Sequence, residues 1–132
     1  MKTTLIYALI FFLAASCLKE GSNSSYTKKT DRVDIIATYV PDTATNLEQV
    51  HISARAAAEN GCWSNLYFKL ISDSEFEYTL EAYGTYESSG ICPDMMVYKD
   101  TTIAFQPMQK GTFLFHITHV PYEEEVDTMI VK

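Results

Sequence analysis

Phe76-Glu77-Tyr78-Thr79-Leu80-Glu81-Ala82-Tyr83 changes character at every residue. Successive side chains of a strand leave opposite faces, so Phe76, Tyr78, Leu80 and Ala82 share one apolar face. Glu77, Thr79, Glu81 and Tyr83 share the wet one. A helix would scatter both sets around its surface. This stretch therefore reads as a strand buried on one side only.

The period of two extends both ways along the chain. Val50, Ile52, Ala54, Ala56 and Ala58 alternate with His51, Ser53, Arg55, Ala57 and Glu59. Alanine favours helix, but the β-branched lead-in and Gly61 favour a strand here. Residues 33–40 stop at Pro41, as an edge or first strand should. Residues 66–70, 101–105, 112–118 and 126–131 follow the same pattern, and 95–98 offer a short addition. Turn signals separate them at Pro41-Asp42, Asn60-Gly61, Ser72-Asp73-Ser74, Ser88-Ser89-Gly90, Gln109-Lys110-Gly111 and Pro121-Tyr122. Seven or eight short strands in about 100 residues, with no helical pattern, predict an antiparallel β-sandwich.

Upstream of the strands the chain changes class. Lys2 precedes the apolar run Leu5-Ile6-Tyr7-Ala8-Leu9-Ile10-Phe11-Phe12-Leu13, and Ala14-Ala15-Ser16 supplies the small residues that a signal peptidase requires. The uncharged run from Leu5 to Leu18 is shorter than the about 20 residues that span a bilayer. It reads as a signal peptide rather than a permanent membrane helix. Leu13-Ala14-Ala15-Ser16-Cys17 resembles the lipobox of bacterial lipoproteins, in which a dedicated peptidase cleaves before a lipid-bearing (diacylated, palmitate-type) cysteine. Here Ala14 occupies the position where that family usually carries Leu. The alternative is an ordinary exported protein cut after Ser16. The expected organisation is a signal peptide over 1–16, a lipidated Cys17 with a polar tether over 17–31, and one domain over 32–132. The tether would reach roughly 20 Å. Leu18 stands where Asp retains enteric lipoproteins on the inner membrane, which points to the outer membrane, on its periplasmic or its cell-surface face.

Three cysteines are an awkward number for an oxidising compartment. With lipid on Cys17, Cys62 and Cys92 remain as a natural disulfide pair; two free thiols are the alternative. The full chain carries a net charge of −7. Loss of Lys2 with the signal peptide makes the rest more acidic still, which disfavours nucleic acid and bare anionic lipid as partners.

Asn60-Gly61-Cys62-Trp63-Ser64-Asn65-Leu66, then Cys92-Pro93-Asp94-Met95, then Pro107 with Gly111-Thr112-Phe113-Leu114-Phe115, together resemble a group of uncharacterised small Bacteroidetes-type lipoproteins. The resemblance covers residues from about 32 onward. It implies an immunoglobulin-like sandwich and an envelope address, with no activity or site attached.

Chemistry is sparse. His116 and His119 are three apart and leave opposite faces of a strand, and His51 stands alone, so no metal pair forms. No nucleophile elbow, zinc-protease helix, phosphate loop or calcium-hand pattern occurs. No catalytic residue, cofactor or metal is expected, and the chain reads as non-enzymatic. Glu123-Glu124-Glu125 with Asp127 is acidic enough to raise calcium, but a solvated turn accounts for it. Asp42-Thr43-Ala44, Asp100-Thr101-Thr102 and Asp127-Thr128-Met129 match a short bacterial O-glycosylation pattern. Nine Tyr, seven Phe and one Trp exceed what a core needs. Trp63, Tyr67 and Tyr83 are the candidate ligand-binding residues, because exposed rings stack sugars and anchor partners; the alternative for Trp63 is that it plugs one end of the sandwich. The expected function is a binding or accessory module for an envelope protein or glycan. The alternative is a disulfide-stabilised inhibitor of a protease or lysozyme, entering an active site with the loop 88–94.

Overall fold

The computed structural model describes residues 25–121 and 123–132. The expected signal peptide, Cys17 and the first part of the expected tether lie outside them. The described residues contain no helix, and their eight strands are β1 (Thr27–Tyr39), β2 (Thr43–Ala44), β3 (Val50–Ala58), β4 (Trp63–Ser72), β5 (Glu77–Ser88), β6 (Val97–Phe105), β7 (Gly111–His119) and β8 (Glu123–Val131). The all-β reading holds. β1 begins at Thr27, inside the stretch that the sequence reads as tether. Residues 95–96 do not form a strand of their own; the chain enters β6 at Val97.

The strands form one mixed sheet in the order β2-β8-β7-β5-β1-β3-β6, with β4 on the other side of β5. The expectation of a wholly antiparallel arrangement is corrected at two ladders. β5 runs parallel to β7, and β2 runs parallel to β8. Alternation reveals which residues face inward but not strand direction, so a parallel ladder leaves no mark on these half-buried sequences.

The sheet curls because β1 serves two ladders. Its first part, Thr27 to Val33, pairs with β5; its second, Asp34 to Tyr39, pairs with β3. A bulge at Ile36, between the partners of Ala56 and Arg55, lies in the second ladder. An extra residue on one strand bends it and sharpens its twist. The inner side fills with two adjoining clusters. Val33, Ile35, Ala54, Ala56, Leu80, Ala82 and Ile117 form one. Ile52, Phe105, Phe113, Phe115, Met129 and Val131 form the other, where Tyr78 and Phe105 pack edge-on at 5.0 Å. The alanines of β3 stay in a strand because they are small enough for close approach and because β1 and β6 pair on both sides. Tertiary pairing here overrides helix propensity.

Cys62 and Cys92 are joined by a disulfide across a separation of 30 residues. The bridge ties the entry of β4 to the loop between β5 and β6, at one end of the curl.

Candidate functional site

A second bulge, in β4, decides the geometry of the candidate site. Ser64 faces Thr85 of β5, but Tyr67 faces Tyr83, so β4 carries one residue more than its partner. Asn65 absorbs the irregularity with φ 51°, a conformation that Asn tolerates better than most residues. Trp63 and Tyr67 are four apart and would share a face on a regular strand. The bulge puts them on opposite faces.

Tyr67 and Tyr83 come together on the outer face of the sheet. Their rings stack with centroids 5.6 Å apart and 20° between planes. Lys69 lies opposite Glu81 in the ladder, yet its Nζ sits 4.9 Å from the Tyr83 centroid and 5.9 Å from that of Tyr67. Glu81 is already engaged. Although it faces outward, it is only 7% exposed, and it accepts from the Arg32 guanidinium and, at 2.5 Å, from the Tyr83 hydroxyl. The Tyr83 hydroxyl and the Glu81 carboxylate both favour the charged guanidinium, raising the pKa of Arg32. The carboxylate thus fixes one tyrosine by its hydroxyl, and the second tyrosine lies against the first. The result is a stacked aromatic surface with a cation beside it, an arrangement able to stack rings and donate or accept hydrogen bonds.

Trp63 takes a different place. It opens β4, faces inward opposite Tyr86, and meets that ring edge-on at 5.3 Å. Its seat exists because residue 84 is glycine: a Cβ there would lie 3.1 Å from the indole and 3.3 Å from both Leu66 and Val33. The indole Nε1 is buried with no hydrogen-bond partner. Trp63 therefore closes one end of the core and lines a groove of about 310 Å³ with Ile36, Ala57, Met96 and Val120. A larger, shallower groove of about 540 Å³ runs over β1, β3 and β6, crossed by the Arg55–Asp100 ion pair at 3.2 Å. Tyr98 lies beneath Arg55 at 5.2 Å, an exposed aromatic that sequence reasoning passed over because its strand showed no clear wet face.

The histidines separate as their spacing dictates. His116, on the outer face, lies 2.7 Å from Glu124, while His119, on the inner side, contacts Asp34 at 3.4 Å and Glu125 at 3.3 Å. Glu123, Glu124 and Glu125 belong to β8 rather than to a turn, so their side chains alternate between faces. Among the described residues, no three His, Cys, Asp or Glu side chains gather as a metal-ligand set.

The disulfide end presents a second feature. The 88–95 loop is pinned by Cys92, by the Gly90 N–H donating to Ser88 Oγ at 3.1 Å, and by the Gly61 N–H donating to the Pro93 carbonyl at 2.8 Å. From this fixed frame Ile91 projects with 92% of its surface exposed. No protein-family model, no curated protein and no solved structure matches the chain.

Proposed function

We propose that this protein is a lipid-anchored, non-enzymatic binding module of the bacterial outer envelope, and that its Tyr67–Tyr83 face carries the contact with a glycan or an envelope protein. Support for the address is the signal segment and Cys17; support for the domain type, an immunoglobulin-like sandwich, is the division of β1 between two ladders. The observation that carries the binding role is the stacked, outward-facing tyrosine pair held by Glu81 and Arg32. An exposed ring held in place loses little entropy on contact, which is why rigid aromatics dominate binding surfaces. The test is a glycan array probed with the wild-type protein, Tyr67→Ala and Tyr83→Ala. Binding that both substitutions reduce at least about tenfold supports the assignment. Wild-type binding that neither substitution changes removes it.

A second reading has its own observation. Ile91, nearly fully exposed on a loop fixed at both sides, has the form of an anchor that enters a partner's apolar pocket, as in an inhibitor of a protease or lysozyme. Near one-to-one inhibition of a purified hydrolase, lost in Ile91→Gly, would favour this reading over the tyrosine platform.

A further inference from the structure

Among the described residues no strand pairs with the outer edge of β4. Alternate N–H and C=O groups along it therefore lack a strand partner among the described residues. Exposed edges of this kind are normally guarded by charge, proline or brevity. β4 spans Trp63–Ser72, and beyond its bulge it reads Leu66-Tyr67-Phe68-Lys69-Leu70-Ile71-Ser72, with one charge and no proline. The β6 edge, by contrast, carries Lys99 and Asp100 side by side.

We infer that β4 is the contact strand of a homodimer, pairing antiparallel with β4 of a second copy about a two-fold axis through Phe68. Self-complementarity selects this register. Paired residues must share a face, so the axis passes through a residue, and three positions fit the regular part of the strand. An axis through Lys69 sets the lysine of one copy against that of the other, which is destabilising. An axis through Leu70 sets Tyr67 against Asp73, whose carboxylate already accepts from Thr79 and which lies past the end of the strand. An axis through Phe68 sets Tyr67 against the second copy's Lys69 and Leu66 against its Leu70, with the two Phe68 residues facing each other. Within residues 66–70 the inward pairs are then apolar, and both outward pairs join a ring to a cation. The outward row runs Arg32, Tyr83, Tyr67, then Lys69 and Glu81 of the second copy, and the two-fold axis repeats it. Each contact occurs twice, as an isologous interface demands. Backbone pairing leaves the outer face open, so the tyrosine surfaces of both copies merge into one.

The experiment uses two full-length copies with tags of different size, expressed together in a bacterial envelope and oxidised with copper–phenanthroline. Opposed residues in an antiparallel ladder have Cα atoms about 4.5–5.5 Å apart, within disulfide reach. Tyr67→Cys in one copy and Lys69→Cys in the other are expected to give a mixed-tag band on a non-reducing gel. Lys69→Cys in both copies should give none, and Thr85→Cys, one strand further from the edge, should give none. A dominant Lys69→Cys homodimer band, or no mixed band at all, overturns the proposal. Native mass spectrometry of the purified protein adds an independent reading. Tyr67→Lys opposes two cations and should weaken the dimer about tenfold or more, and adding Lys69→Glu should restore it. Failure of the double variant to recover dimer counts against this register.

Discussion

Glu81 shows how one side chain fixes a surface. It is a carboxylate on the solvent face of its sheet, yet almost wholly covered by the arginine and tyrosine that it binds. Removing it leaves two donors without their acceptor. Glu81→Ala should lower stability by about 2–3 kcal/mol in urea unfolding. It should also release the Tyr83 ring, seen as faster ring flipping by NMR. Asp127 makes the opposite contribution. It lies opposite Phe115 on the inner side, and partial burial raises its pKa above 3.8, with Glu125 and Asp42 adding repulsion. An acid whose folded-state pKa lies above its unfolded value favours the fold below the unfolded value. That contribution is lost as pH rises through the folded one. Asp127→Asn should therefore raise the melting temperature at neutral pH, and the gain should vanish once the pH falls below the ordinary aspartate range. An equal gain at both ends of a pH series of thermal melts would contradict this account.

At the scale of elements, the strands were legible because alternation is a local signal, and the bulges were not. Residues 76–83 and 50–58 reveal their inward faces directly, and the structure places Ile52, Ala54, Ala56, Leu80 and Ala82 in the core. The bulges at Ile36 and Asn65 leave no comparable mark, since one falls on an ordinary β-branched residue and the other on an Asn beside Ser64, just ahead of an apolar run. The second decides how the site divides. Trp63 and Tyr67 look like neighbours in the sequence, but the structure gives Tyr67 to the outer platform and Trp63 to the core end. Gly84, set mid-strand, was the available hint, because a glycine there marks a close approach by a large side chain. The bulge itself is testable. Asn65→Val forces a β-branched residue into positive φ and should cost about 1–2 kcal/mol or more, whereas Asn65→Gly should be tolerated. Equal stability of the two variants in chemical denaturation would show that the positive φ is not maintained.

For the whole molecule, the disulfide pair was legible from cysteine number and the expectation of an oxidising compartment, while the pairing order was not. Which strands meet depends on contacts far apart in sequence, and alternation carries no information about them. The Cys62–Cys92 bridge should contribute about 3–4 kcal/mol through the loop that it closes. Reduction should lower the urea midpoint accordingly and speed amide exchange in residues 88–95 first. Uniform loss of protection across the sheet would instead make the bridge a global determinant.

The short parallel pairing of β2 with β8 has a consequence for how the protein is made. Thr43 and Ala44 find their partners at Ile130 and Val131, and the Asn46 N–H donates to the Lys132 carbonyl at 3.0 Å. A chain emerging from the ribosome N-terminus first cannot finish its sheet until those distant residues are out. Contacts of such long sequence separation also form slowly. That edge therefore closes last, after every strand between β2 and β8 has been made.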